Sequence, residues 1–339
     1  MLNSSESPLA SAYDMAMLDL DGVVYVGRSA VPRAPEALAE ARNAGVRLAF
    51  ITNNAARTPE TVAAHLVELG IAASRDDVVS SAQAAARVLV DRLGRGARVV
   101  NLGAEGLREA LAEQGLVSVG VSEDADALVT GYGPDVLWRD IMRAGVRIRD
   151  GLWWVASNTD MTIPTAFGTA PGHGVLVDTL RRFSGVEPVV AGKPARPLLD
   201  ETMRRVGGAR PLMVGDRLDT DIAGAHNAGI ASLLVLTGVT GVVELVSAAP
   251  ELRPTYISPD LDGLLTVHPV PTRTDEGTTL GGWTAGVREG RLEISGSGSA
   301  ADWWRVVATA AWSHLDATGS VADTTGITAP QPEPGRAGR

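Results

Sequence analysis

The sequence predicts an α/β protein: a doubly wound parallel-sheet core, split by an inserted α/β domain and followed by a small ββα extension. Three observations carry this expectation. Short apolar runs of strand length alternate with segments of helical period, which implies parallel strands with helices on the sheet faces. Several of those runs end in polar residues, and open α/β sheets bind ligands at the carboxyl ends of their strands. Past Val267 the composition changes, first toward Pro and Thr and then toward Trp.

The first element is the run from Met15 to Tyr25, an apolar strand that ends in Asp19 and Asp21, with Gly22 where the chain must turn. Carboxylates placed this close at the end of a buried strand need a compensating cation or a chemical task. A strand-terminal turn with solvated aspartates is the plain alternative. A calcium loop fails, because its spacing would want Asp or Asn at Val23 and Gly at Val24. Residues 35–44 read as a helix, with Pro35 early and Gly45 just past the end. The strand 46–52 ends in Thr52, Asn53 and Asn54. Thr58 then caps a helix with Pro59 at its first position, and Val62, Leu66 and Leu69 space an apolar face before Gly70.

The alternation continues through an apparent insertion. Residues 98–102, 127–130 and 152–156 read as strands, and 105–114, 134–144 and 172–183 as helices. The last strand carries Trp153 and Trp154, which must face opposite sides, and ends at Ser157-Asn158-Thr159-Asp160. The first domain resumes with strand 188–192, which carries Lys193 and Pro194 at its end. Helix 197–206 follows, then strand 211–215 with Asp216 at its tip, a helix that Gly229 ends, and strand 231–236. The Rossmann-like core is therefore expected over 12–78 and 187–266, around an inserted domain at 79–186. Residues 267–277 read as a linker. Strands 283–287 and 291–295, and a helix capped by Ser299 with Trp304, Ala308, Ala311 and Leu315 on one face, make an extension over 278–318. Residues 319–339, punctuated by Pro330, Pro332 and Pro334, are expected to be a disordered tail.

Composition excludes several classes. A net charge of −10 gives no basic footprint for general nucleic-acid binding. The absence of cysteine excludes disulfides, thiolate nucleophiles and cysteine-ligated metals. No secretory signal pattern and no apolar run of the ~18 residues needed for a bilayer are present, so a cytoplasmic protein without membrane partners is expected.

Four expected strand ends carry Asp19 with Asp21, Thr52 with Asn53, Lys193, and Asp216. In a parallel sheet such ends converge. Together they hold what phosphoryl transfer to a carboxylate requires: a nucleophile, a second carboxyl for proton traffic, a hydroxyl and a fixed cation for the phosphate, and acids for a metal. Oxygen-only ligation favours Mg²⁺.

Asp19-Leu-Asp21-Gly-Val, Ile51-Thr-Asn-Asn54, Gly192-Lys-Pro194 and Gly215-Asp-Arg-Leu-Asp-Thr-Asp-Ile222 resemble the four signature motifs of haloacid dehalogenase superfamily phosphatases. The resemblance covers about residues 12–265, and the insertion is similar to the large α/β cap of the p-nitrophenylphosphatase, phosphoglycolate and glycerol 3-phosphate phosphatase branch. It implies Asp19 as nucleophile, forming an aspartyl phosphate. Asp21 would protonate the leaving alkoxide, then deprotonate water, and ligate Mg²⁺ through its backbone carbonyl. Thr52 and the Asn53 amide would hold phosphate oxygens, and Lys193 would neutralise the nucleophile and the transferring group. Asp19 and Asp216 would complete the metal ligands, supported by Asp221 and Asn54, with Asp219 a further candidate. Asp21 also separates chemistries, since dehalogenases and P-type ATPases lack an acid at that place. In the cap, Asn158, Asp160 and His173 are the expected specificity residues, with a glycine-flanked structural turn an equal alternative for His173. A small phosphorylated metabolite is the expected partner, glycerol 3-phosphate first and phosphoglycolate, pyridoxal phosphate or a nucleotide after it. The stretch Met161 to Thr165 has no aromatic ring to stack on a pyridine or base. The C-terminal extension is expected to dock on the main body or on another copy in a homo-oligomer.

Overall fold

The structure, a computed structural model, describes residues 2–165, 167–275 and 277–330. The chain forms two compact units, Met1–Leu48 with Gly208–Arg339, and Ala49–Gly207.

In the first unit, four parallel strands lie in the order Tyr256–Ser258, Ala231–Val235, Pro211–Gly215, Met15–Leu18. Met15 faces Pro211 and Leu18 faces Val214, so Asp19 leaves the sheet beside the strand that ends at Gly215 and Asp216. All four residues of Met15–Leu18 are buried. That continuous burial, rather than alternation, is the mark of a parallel strand covered on both faces. The expected helix at 35–44 is found as Ala34–Asn43.

The C-terminal part of this unit is richer than the expected ββα. Four antiparallel strands, Thr272–Thr274, Gly277–Leu280, Trp283–Arg288 and Arg291–Gly296, pair in sequence order before the helix Ala300–Thr318. The expected linker is not free chain: Thr272–Thr274 is a strand, and His268 is buried and bridged to Ser5. The Pro and Thr content suggested a linker, but β-branched threonines also suit a pleated strand. The expected disorder of the tail fails for 319–330. The Asp323 N–H donates to the Gly290 carbonyl at 2.8 Å and its carbonyl accepts from Leu292 at 2.9 Å, while Ala322 is buried. This segment covers a sheet edge that would otherwise present open backbone groups. Residues 331–339 lie outside the described residues.

In the second unit, the strand Arg47–Thr52, which begins in the first unit, pairs in parallel with Val78–Ser80 from Phe50 onward. Thr58 Oγ1 accepts the Thr61 N–H at 3.3 Å and caps Pro59–Glu68 as expected. Five parallel strands form a separate sheet in the order Val189–Val190, Trp153–Ala156, Ala127–Thr130, Arg98–Leu102, Val117–Val119. Trp154 is buried in its core, with Nε1 donating to Thr130 Oγ1, while Trp153 is half-buried under the Arg92 guanidinium. The helix expected at 134–144 is Trp138–Arg149, because residues around Pro134 form a turn closed by Val136 N–H on the Gly133 carbonyl. A hairpin, Thr162–Thr165 against Gly168–Pro171, was not expected. It precedes the helix His173–Ser184. Among the described residues no helix is long and apolar enough to cross a membrane.

Candidate active site

The first unit brings three acids together. Asp19, Asp216 and Asp221 each offer a carboxylate oxygen, and these oxygens lie within 4.8 Å of one another. Asp216 and Asp221 are fully buried. The strand register explains the first pairing: Asp19 N–H donates to the Val214 carbonyl at 2.9 Å, which fixes Asp19 at the tip next to Asp216. Asp216 Oδ2 accepts the Val239 N–H at 2.7 Å, and Asp221 Oδ2 accepts the Arg217 N–H at 3.1 Å. Three carboxylates this close repel unless a cation sits among them, and hard oxygen donors without imidazole or thiolate suit Mg²⁺ or Ca²⁺. Asp221, expected only as support, joins the group directly. Asp21 is exposed, and its side chain is not part of the group. Asp219 turns away, paired with Arg217 at 2.7 Å.

The turn that separates Asp19 from Tyr25 depends on Gly22. Its φ is +86°, and a Cβ there would stand 2.5 Å from Asp216 Oδ2. The Gly22 N–H donates to the Tyr25 carbonyl at 2.8 Å, and its carbonyl accepts from Thr237 Oγ1 at 2.5 Å. The segment Thr237 to Val239, which holds both Gly22 and Asp216, escaped the sequence reading. Its only signal is a glycine-containing turn after a strand.

The second unit gathers the remaining expected residues. Thr52 Oγ1 accepts the Asn54 N–H at 3.0 Å, which aims the hydroxyl and leaves its hydrogen to donate elsewhere. The Asn54 side chain accepts the Ala56 N–H at 2.9 Å, so Asn54 shapes the turn. Asn53 and Lys193 are buried. The Asn53 side-chain amide is bonded to the Lys193 backbone and to Asp160, so the amide expected to hold phosphate is read as the Asn53 backbone N–H. Ser81 Oγ, unremarked in the sequence, donates to the Asn53 carbonyl at 2.6 Å. Asn158 Nδ2 donates to the same carbonyl at 2.7 Å. His173 Nδ1 lies 2.9 Å from the Asn158 carbonyl; a carbonyl only accepts, so Nδ1 carries the hydrogen. Burial lowers the His173 pKa to about 4, against the backbone hydrogen bond that raises it. The ring is therefore neutral at physiological pH.

The chemistry carried by these residues is that of a phosphoryl-transfer hydrolase. The comparisons identify the family. A haloacid dehalogenase-like hydrolase model matches residues 16–117, and a HAD-hydrolase-like model matches 190–264. The D-glycerol 3-phosphate phosphatase of Mycobacterium tuberculosis is 42% identical over 320 residues, covering 90% of this chain and 87% of that protein. The acid sugar phosphatase of Staphylococcus saprophyticus is 33% identical over 75% of this chain and 97% of that protein. A crystal structure of the glycerol phosphate phosphatase from Mycobacterium tuberculosis in complex with magnesium superposes with a TM-score of 0.83 at 41% identity, covering 91% of this chain and 92% of that one. The chain belongs to the haloacid dehalogenase-like hydrolases, in the phosphatase branch that carries a cap domain.

Proposed function

We propose that the protein is a Mg²⁺-dependent phosphomonoesterase that hydrolyses glycerol 3-phosphate through an aspartyl phosphate on Asp19. The acid cluster of Asp19, Asp216 and Asp221 is the observation that supports the metal and the nucleophile. When bound, Mg²⁺ would screen the charge between nucleophile and phosphate. Asp19 attacks phosphorus, and the ester oxygen leaves with a proton from Asp21. Asp21, now a carboxylate, takes a proton from the water that attacks the aspartyl phosphate and releases inorganic phosphate. Thr52 and the Asn53 backbone N–H bind phosphate oxygens, and Lys193 neutralises the transferring group. The catalytic core is divided around the inserted cap; the strand Val189–Val190, expected to reopen the core from 187, instead pairs with Trp153–Ala156 in the inserted sheet, so the cap runs on to about residue 190.

The substrate assignment rests on the reach of the similarity. The glycerol 3-phosphate phosphatase matches 90% of this chain, whereas the acid sugar phosphatase matches 75% while being itself covered almost completely. The first relative therefore shares a larger part of this chain than the second. The test is a panel of phosphate esters assayed with Mg²⁺ and with chelator. Glycerol 3-phosphate is expected to give the highest kcat/KM and chelation to abolish it; preference for a sugar phosphate or nucleotide would overturn the substrate, and hydrolysis by Asp19→Asn would overturn the mechanism.

A further inference from the structure

Asn53 grips the backbone of Lys193 from both sides. Its Oδ1 accepts the Lys193 N–H at 2.8 Å, and its Nδ2 donates to the Lys193 carbonyl at 3.0 Å. The second Nδ2 hydrogen goes to Asp160 Oδ1 at 3.0 Å. A carboxylate can only accept, so Asp160 admits one orientation of the Asn53 amide, the one with nitrogen toward it. In that orientation the amide oxygen is left for the Lys193 N–H. The reversed amide would set an NH₂ group against the lysine N–H and lose the bond.

Asp160 is itself held in place. Its N–H donates to Asn158 Oδ1 at 3.1 Å, and its carbonyl accepts the Gly174 N–H at 2.8 Å. Asn158 reaches back to the Asn53 carbonyl, so the loop fixes Asn53 through both its main chain and its side chain. Gly192 leaves room for this grip: a Cβ there would stand 2.5 Å from Asn53 Oδ1. Charge-assisted bonds such as that from Asn53 to the carboxylate are stronger than neutral ones and hold geometry well.

We propose that Asp160 is a positioning residue for Lys193, acting through the Asn53 amide rather than by touching the leaving group. The inference rests on Lys193 being the cation for the transferring phosphoryl group. That group is common to every phosphate ester, so loss of Asp160 slows all esters by one factor. Misplacement of a catalytic group by about 1 Å costs up to roughly 100-fold in rate.

The test compares wild type, Asp160→Ala and Asp160→Asn in the presence of Mg²⁺. Three quantities are read: kcat/KM for glycerol 3-phosphate and for p-nitrophenyl phosphate, inorganic phosphate affinity by calorimetry, and the melting temperature. Asp160→Ala is expected to lower both kcat/KM values by the same factor, roughly 10- to 100-fold, and to weaken phosphate binding. Asp160→Asn, which keeps an acceptor oxygen, is expected to restore most of the loss. Unchanged kinetics in Asp160→Ala would overturn the proposal. So would a loss confined to one ester, which would put Asp160 on the leaving group. Equal defects in both variants that track a lowered melting temperature would make the role structural and overturn it as well. A wild type that binds phosphate with this dependence on Asp160 but hydrolyses no ester would sink the phosphatase assignment alone.

Discussion

At the scale of single residues, the two aspartates that follow the first strand differ in environment. Asp19 stands among buried acids, while Asp21 is exposed and left out of their cluster. A group that shuttles protons needs access to water and freedom from the metal, so Asp21 suits acid–base duty and Asp19 does not. Asp21→Asn is expected to lower kcat/KM for an alkyl phosphate by roughly 10²- to 10⁴-fold, the usual worth of general acid catalysis. The loss should be much smaller for p-nitrophenyl phosphate, whose leaving group departs without a proton; equal losses for both esters would remove Asp21 from the leaving-group step. Gly22 offers a second case. Alanine at its φ of +86° would be strained and would crowd Asp216 Oδ2, so Gly22→Ala should cost about 1–3 kcal/mol and weaken metal binding. Chemical denaturation and a Mg²⁺ titration of activity would read the two effects separately. Asp19, Lys193 and Asp216 stood out because each follows an apolar run. The destination of the Asn53 amide was not, because its partners lie 107 and 140 residues away and no local pattern marks such a bond.

At the scale of the element, the helix Ala300–Thr318 shows what an apolar stripe does and does not reveal. Trp304, Ala308 and Ala311 are buried as their shared face predicted, and Leu315 is half-buried. Val307 and Trp312, which flank that stripe, are buried too, and so are Trp303 and Val306, which lie off it. The helix is covered nearly all round, because the antiparallel sheet packs on one side while Leu245, Ile257 and their neighbours pack on another. A stripe tells that a helix has a buried face; it cannot tell that a second layer covers the rest. Polar linkages cross this packing, among them one through Arg305. Arg305 donates to the Ile257 carbonyl and to His268 Nδ1, and the His268 Nε2 hydrogen goes to the Gly263 carbonyl at 2.8 Å. Burial, opposed by the Gly263 bond and aided by the Arg305 charge, lowers the His268 pKa to about 4 from 6.5. The unfolded chain then binds more protons than the folded one between those values, so stability is full above pH 6.5 and falls as pH drops toward 4. Denaturation at pH 7 and pH 5 should show a loss from this group of roughly 2 kcal/mol. His268→Gln should be less stable at pH 7 and should lose less between the two pH values; an unchanged difference would clear His268 of the effect.

At the scale of the whole molecule, the sequence expects the C-terminal extension to dock its tryptophans on the main body or on another copy, and the structure packs them into one core of the first unit. Trp303, Trp304 and Trp312 share a cluster with Leu234, Leu245 and Ile257, residues of the parallel sheet and its flanking helix. Trp312 Nε1 donates to the Leu245 carbonyl at 2.7 Å, and Arg253 pairs with Asp316 at 2.7 Å. That the tryptophans need a surface was legible in a piece too small to fold alone; which surface was not, because a change of composition marks where the chain changes character, not where its core ends. The consequence concerns truncation. A buried tryptophan cut to alanine costs about 3–5 kcal/mol, and a whole domain is stable by only about 5–15 kcal/mol. Removing everything after Val267 takes away three such tryptophans at once and exposes the sheet residues they cover. The shortened chain should therefore collect in the insoluble fraction or melt without a cooperative transition, and Trp312→Ala alone should lower the melting temperature by several degrees. A truncated protein that stays soluble and keeps the melting temperature and Mg²⁺-dependent hydrolysis of the full chain would show that the parallel sheet closes its own core and that the extension only decorates it.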